Sequence, residues 1–247
     1  MLLREWIKSA VALAGYEIRR PGSTGRTMKT ALKHLVDVRV DPRTVIDVGV
    51  ASGTPELYAA FPRATYLLVE ALNEFEPSIK SLLAGRITGS YFIGAAAERE
   101  GTTEILPRGE TSSVFREVDR SDARAERREI ATVRLDKLCR DRELGGPYFI
   151  KVDVQGAELN VLAGATAILD ATEVIVLEVS LLPLLEGVPE FTEVVEWLAA
   201  RDFVTYDIFD GLARPYDGAM AQLDMAFVKR GGRLREYRGF RDRYPVG

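Results

Sequence analysis

Between Thr44 and Lys229, short runs rich in β-branched and aromatic residues alternate with stretches of helical spacing, and no other feature narrows the choice of fold so far. The runs are Thr44 to Val48, Thr65 to Val69, Ser90 to Ile93, Tyr148 to Val154, Glu173 to Val179, Phe203 to Ile208 and Met225 to Lys229. Helical spacing fills Glu74 to Leu83, Ala157 to Leu169 and Phe191 to Ala200. Parallel strands need crossover connections, so this order predicts an α/β fold: one seven-stranded, mostly parallel sheet with helices on both faces. Seven strands occupy nearly all of a 247-residue chain, and no second sheet-bearing domain is expected. We divide the chain into an N-terminal helical cap over residues 1–40, a main domain over 41–230 with an insertion at about 102–135, and a basic tail over 231–247.

Composition removes several function classes. Lys and Arg total 33 against 37 Asp and Glu, a formal charge of −4, so no nucleic-acid partner is expected. The lone cysteine, Cys139, excludes an internal disulfide and any zinc site built on two thiolates, and it fits a cytoplasmic location. The lone histidine, His34, removes multi-histidine metal sites and leaves a Ser-His-Asp hydrolase without support. We place His34 on a helix with Met28, Leu32 and Leu35, in a surface or cap role. No run approaches the roughly 18 apolar residues of a membrane span, so no transmembrane segment is expected. In residues 1–14, Leu3, Ile7, Ala10, Val11 and Ala14 share one face of an amphipathic helix, while Arg4, Glu5 and Lys8 break the apolar stretch before it reaches signal-sequence length. Trp6, Trp197, Tyr206 and Phe209 are expected to be core or wall residues.

Two regions depart from the alternation. Residues 94–147 are long for one connection, and Thr103 to Leu106 with Ile130 to Leu135 read as a strand pair around a polar loop. That loop, Gly109 to Glu129, carries Arg116, Asp119, Arg120, Asp122, Arg124, Glu126, Arg127 and Arg128, and we read it as a solvated insertion or exposed helix in preference to a substrate lid. The tail carries Arg233, Arg235, Arg238, Arg241 and Arg243 against Glu236 and Asp242, and reads as a solvated end.

The first crossover points to a ligand. Thr44 to Val48 runs into a turn with Gly49 and Gly53, followed by a helical stretch from Pro55, at the edge of an open α/β sheet where ligands bind. The glycine spacing does not match the G-x-G-x-x-G dinucleotide fingerprint, and Asp47, two residues before Gly49, would repel phosphate but can hold an ammonium group. Glu70, at the end of the second strand, can accept ribose hydroxyls. An acid for an amino-acid moiety and an acid for a ribose together suit S-adenosylmethionine, which has both groups and no phosphate.

The stretch Tyr148 to Ala165 is the most informative. Lys151 and Asp153 arrive near the carboxyl edge of a strand, Gln155 and Gly156 turn the chain, and Glu158 falls in the first turn of a helix, where the dipole favours an acid. The run Lys151 to Glu158 resembles the FkbM family of S-adenosylmethionine-dependent methyltransferases, whose hallmark is lysine, hydrophobic, aspartate, hydrophobic, glutamate or glutamine, glycine, alanine, glutamate. The resemblance extends to Asp47 through Gly49, Glu70, Ala95 to Gly101, Ser112 with Ser113, Leu135 with Asp136, and Leu177 with Glu178, covering about residues 44–180. Val50 and Ala51 depart from the alanine and asparagine more usual after the first glycine.

The resemblance implies a class I methyltransferase fold, a Rossmann-like sheet, with S-adenosylmethionine as donor and a hydroxylated small molecule, often a sugar or natural product, as the substrate to be O-methylated. It implies cofactor contacts from Asp47, Gly49, Ser52, Gly53 and Thr54 in the first turn, Glu70 and Ala71 after the second strand, and Ala95, Ala96, Ser113 and Asp153 beyond. An alcohol needs help to lose its proton, and with no second histidine the candidates are carboxylates or Lys151. Asp153 is expected to be the central catalytic residue, with Lys151 and Glu178 beside it, because Asp153 and Glu178 end neighbouring strands. The same two acids could instead hold a hard divalent cation such as Mg. Asp136 reads as a helix cap in the absence of the resemblance. Two other readings compete: a nicotinamide-dependent oxidoreductase, which would use Gly49, Gly53 and Glu70, and a non-catalytic interaction protein using the polar loop and tail.

Overall fold

The computed structural model describes residues 25–118 and 126–240. The expectations for residues 1–14 with Trp6, for Asp119, Arg120, Asp122 and Arg124, and for Arg241 and Arg243 lie outside the described residues. The described chain begins with α1 (Met28–Asp37), where the Thr27 and Thr30 hydroxyls each accept the other's backbone N–H. Its Ala31, Leu32 and Leu35 are buried among Val45, Tyr58 and Phe61. His34 stacks on Tyr206 with Nε2 2.9 Å from the phenol oxygen.

Strand and helix then alternate: β1 (Thr44–Val48), α2 (Pro55–Ala60), β2 (Thr65–Glu70), α3 (Glu76–Gly85) and β3 (Thr88–Ile93). A small sheet interrupts them, with β4 (Ala95–Ala96) parallel and β5 (Gly101–Ile105) antiparallel to β6 (Arg128–Val133). After α4 (Leu135–Asp141) come β7 (Tyr148–Val152), α5 (Glu158–Ala163), β8 (Thr172–Ser180), α6 (Phe191–Ala199), β9 (Phe203–Ala213) and β10 (Met220–Lys229). The main sheet has seven strands in the order β3-β2-β1-β7-β8-β10-β9, and β10 alone runs against the rest. The chain leaves β1 toward β2 on one side and β7 lies on the other, so the crevice above β1 and β7 is the topological switch point.

Alternation along each strand divides the core between the two faces. Ile46, Val48, Ile150, Val152, Ile175 and Leu177 pack on one face. Val45, Tyr66, Leu68, Phe149, Val174 and Val176 pack on the other, under α1, α2 and α3. This is why the central runs are apolar throughout rather than alternating. The same parity places Asp47, Lys151, Glu178 and Asp224 on the second face, because Asp47 pairs with Lys151 and Glu178 with Asp224 across neighbouring strands.

Several boundaries differ from expectation for identifiable reasons. The helix expected from Ala157 to Leu169 stops at Ala163. A Cβ on Gly164 would lie 2.0 Å from the Ala97 carbonyl oxygen, so the chain there crosses too close to the small sheet for a helix to continue. β9 and β10 run longer than expected, since a hairpin continues pairing beyond the covered core through polar positions. Asp136 does not cap α4; its carboxylate accepts from Ala167 N–H at 3.0 Å and pairs with Arg134. The start of the tail is tied down rather than solvated, for Arg233 donates to the Val38 and Arg39 carbonyls and pairs with Glu173. Among the described residues no helix is long and apolar enough to cross a membrane.

Candidate active site

A cavity of about 270 Å³ opens at the carboxyl edge of β1, β2 and β7. Its floor is the turn after β1, where Gly49 and Gly53 have φ of +80° and +106°. Gly49 is required sterically: a Cβ there would sit 1.8 Å from the Asp153 carbonyl oxygen. Asp153 N–H donates to Val48 O, joining the turn after β7 to the end of β1, while Gly49 N–H donates to Val69 O and ties the first turn to β2. Ser52, Thr54, Ala71, Ala95, Ala96 and Asp153 line the cavity along with Gly49, Gly53 and Glu70.

Glu70 ends β2 with one oxygen accepting Ala51 N–H and the other Leu72 N–H, each at 2.8 Å. Burial pushes its pKa up and these backbone donors pull against the shift. The carboxylate thereby holds both neighbouring turns in shape while keeping lone pairs toward the cavity.

Asp47 departs from expectation. It is fully buried and lies beneath the cavity rather than in its wall. One oxygen accepts from Tyr58 OH at 2.8 Å and Thr54 Oγ1 at 3.1 Å; the other stands 3.6 Å from Lys151 Nζ. Asp47 acts on the cavity through Thr54 and Lys151, because strand register directs its side chain beneath helix α2. Ser113 is likewise buried outside the wall, with its hydroxyl donating to Gln155 O at 2.8 Å, whereas Ser112 lines the cavity.

Asp153 is an accessible acid of the site, with its side chain 36% accessible against 7% for Lys151. Lys151 Nζ donates to Asp153 Oδ2 at 3.4 Å and Gln155 Nε2 to Asp153 Oδ1 at 3.3 Å. Burial works to discharge Lys151, but Asp47, Asp153 and Asp224 outweigh it and hold the ammonium above the ordinary lysine range. Lys151 sits as a hydrogen-bond donor to Asp153 and an ion-pair partner of Asp47. Glu158, fully enclosed at the start of α5, turns back to accept the N–H groups of Val154 and Gly156, and burial raises it to about 7.

Glu178 reaches the cluster from β8 but stays outside the cavity wall. Its Oε2 accepts from Gln155 Nε2 at 2.7 Å and Gln222 Nε2 at 2.8 Å. Burial first, then Asp153, Glu158 and Asp224, pushes its pKa well above the carboxylate range. Across the strand pair, burial and Asp153 raise Asp224 to about 7. The pair Asp153 and Glu178 does not fit a divalent cation. Two amide donors occupy one Glu178 oxygen, an ammonium adjoins Asp153, and no group of three His, Cys, Asp or Glu side chains among the described residues is placed for a metal.

Sequence reasoning missed Gln155, Gln222, Asp224 and Glu110. Each lies far along the chain from its partner, or in a motif position first read as a turn, so only the fold reveals the contact. The insertion also corrects expectation: Gly109, Glu110, Ser112 and Val114 fold back as a strap that walls the cavity. Glu110 accepts from Ser52 Oγ at 2.8 Å, Val118 N–H donates to Leu184 O, and Arg108 pairs with Glu117. The cavity wall contains Glu70, Glu110 and Asp153 as acids against Lys151 as its cation. That balance repels a diphosphate and favours a cationic or neutral nucleoside.

Among curated protein sequences none matches the chain. Among solved structures it is similar to an O-methyltransferase from Bacillus cereus in complex with SAH, at 15% identity and a TM-score of 0.47, covering 91% of this chain and 90% of that one. It is also similar to an rRNA methylase from Streptococcus thermophilus, at 12% identity and a TM-score of 0.46, covering 87% and 99%. A precorrin-6y C5,15-methyltransferase from Geobacter metallireducens gives 14% identity and a TM-score of 0.45, covering 87% and 94%. Residues 47–205, most of the chain, match the family described as Methyltransferase FkbM domain, and they take in the glycine turn, Glu70, the strap and the Lys151 to Glu158 run. The chain belongs to the FkbM methyltransferase domain family.

Proposed function

We propose that this methyltransferase uses S-adenosylmethionine to methylate a hydroxyl oxygen of a small molecule, a sugar or natural product. The observation that carries the reading is Asp153: an accessible carboxylate at the switch point, steadied at each oxygen by one donor, in the cavity that also holds Glu70. The donor supplies an electrophilic methyl on a sulfonium. Glu70 is placed to accept ribose hydroxyls, Gly49 and Gly53 let the backbone come close, and the acidic wall favours a positive centre over a phosphate.

In the transfer, Asp153 accepts the proton of the acceptor hydroxyl as its oxygen attacks the methyl carbon. A C–O bond forms, the C–S bond breaks, and the electron pair stays on sulfur, leaving S-adenosylhomocysteine. Lys151 stabilises the carboxylate from behind, and the burial that raises the Glu178 pKa favours its uncharged form beside the developing oxyanion. Holding nucleophile and methyl in line supplies the largest part of the rate, about 7–11 kcal/mol.

Calorimetry with S-adenosylmethionine and S-adenosylhomocysteine tests the donor: micromolar binding is expected, and absence of binding by both discards the reading. Incubation with methyl-labelled donor and a panel of sugars and hydroxylated metabolites, with and without chelator, tests the acceptor. A labelled methyl ether supports O-methylation, whereas label on nitrogen, carbon or nucleic acid refutes it. A chelator is expected to leave the rate unchanged.

A further inference from the structure

Gln155 has a backbone that glutamine rarely adopts, with φ of +54°, in the left-handed region. Such conformations persist where surrounding contacts over-determine them, and they concentrate at functional sites. Here the contacts come from both sides. The Gln155 carbonyl accepts the Ser113 hydroxyl from the strap at 2.8 Å, and Glu158 takes the N–H groups of Val154 and Gly156 on either side. Gly156 follows at φ +106°, where a Cβ would strike Val188 at 2.4 Å, so the turn is also pressed against the chain after β8.

The conformation has a consequence for the side chain. Its carboxamide nitrogen lies between two carboxyl groups, donating to Asp153 Oδ1 at 3.3 Å and to Glu178 Oε2 at 2.7 Å. An amide nitrogen has two hydrogens, and both are used. Glu178 is itself fixed by Gln222 on β10, so the amide ties the accessible Asp153 carboxylate to a rigid strand. Lys151 holds the other Asp153 oxygen, and with both oxygens tethered the carboxylate plane cannot rotate freely.

We propose that Gln155 is a positioning residue for methyl transfer, anchoring the Asp153 carboxylate to Glu178 so that its free lone pairs face the acceptor hydroxyl. This inference rests on the reading of Asp153 as the proton acceptor. It places the left-handed turn, the Ser113 contact from the strap and the buried Glu158 in one supporting frame, each holding the backbone from which the amide projects.

The test uses Gln155→Leu, which keeps bulk without donors, and Gln155→Glu, which keeps shape but replaces the donor, beside Asp153→Asn. Calorimetry with S-adenosylhomocysteine reports folding and cofactor binding; Gln155 lines the cavity, so both Gln155 variants are expected to keep binding with affinity within about tenfold of wild type. Crystal structures of the S-adenosylhomocysteine complexes report the anchor directly. Asp153 is expected in one orientation in the wild type and in a rotated or split orientation in both Gln155 variants. With the acceptor found in the labelled-donor assay, kcat is expected to fall about 100-fold in each while the KM for donor holds, the cost of a misaligned catalytic group. An unchanged Asp153 orientation in both variants overturns the inference, as does wild-type kcat in either. If Asp153→Asn keeps wild-type turnover, the reading of Asp153 itself fails. If only Asp153→Asn is impaired, that reading stands and the role of Gln155 falls.

Discussion

Replacing Gly49 by alanine tests the physical link between the first turn and the turn after β7. The added Cβ would lie 1.8 Å from the Asp153 carbonyl oxygen. Carbon and carbonyl oxygen rest at about 3.3 Å or more, so the two turns must part by about 1.5 Å. They are joined by Asp153 N–H on Val48 O, and parting them stretches the pairing of β1 with β7. The left-handed φ of +80° adds strain for any residue with a Cβ, about 1–2 kcal/mol. Together these place the variant in the range of severe single substitutions, about 3–5 kcal/mol. With a urea slope near 3 kcal/mol per M for a chain of this size, the midpoint should fall by about 1 M or more. S-adenosylhomocysteine affinity should fall with it, by at least about tenfold, because the floor of the cavity moves. Gly85→Ala is the control: it closes a helix, has nothing within 4 Å of its Cβ, and should be neutral or stabilise by up to about 1 kcal/mol. If Gly49→Ala unfolds within 1 kcal/mol of wild type and binds with unchanged affinity, the claim that close approach of the two turns shapes the site is refuted.

Other perturbations bear on the buried charges. Lys151→Met leaves fully buried Asp47 without its counter-charge and should cost about 3–5 kcal/mol in urea unfolding, with Asp47→Asn in the same chain recovering most of the loss. Asp224 is raised from 3.8 to about 7, so between those values the folded chain keeps a proton that the unfolded chain releases. Stability should therefore fall as pH rises through that window, and Asp224→Asn should flatten the fall in a series of unfolding curves; an unchanged slope contradicts the burial argument. Glu70→Ala strands the N–H groups of Ala51 and Leu72 and should destabilise by about 1–3 kcal/mol while weakening S-adenosylhomocysteine binding in calorimetry.

How much of this was legible in the chain depends on the range of the interaction concerned. Every main-sheet strand had a local signature: the central strands, buried on both faces, are apolar along most of their length, and the edge strands β3 and β9 show as β-branched and aromatic runs although much of their surface is open. The turn at Gly49 and Gly53, Glu70 at the end of β2, and the Lys151 to Glu158 run were likewise visible as short segments. The end of α5 was not, since Gly164 breaks the helix through its approach to Ala97, far away in sequence. The strap escapes a local reading for the same reason: its polar composition resembles solvated chain, while its Glu110 and Ser113 side chains bond to Ser52 and Gln155 and its Val118 N–H to Leu184 O.

The amino-acid order by itself determined the alternation of strand and helix, hence the parallel sheet and the edge where a ligand would sit, because periodicity and turn chemistry are local properties. Only the tertiary structure decided which acids face the cavity. It put Asp47 beneath the floor, raised the pKa of Glu178 by burial beside Asp153, Glu158 and Asp224, and brought Gln155 between two carboxyl groups. Those outcomes depend on strand register and on the charge and solvent around each group, quantities that arise when distant segments pack together.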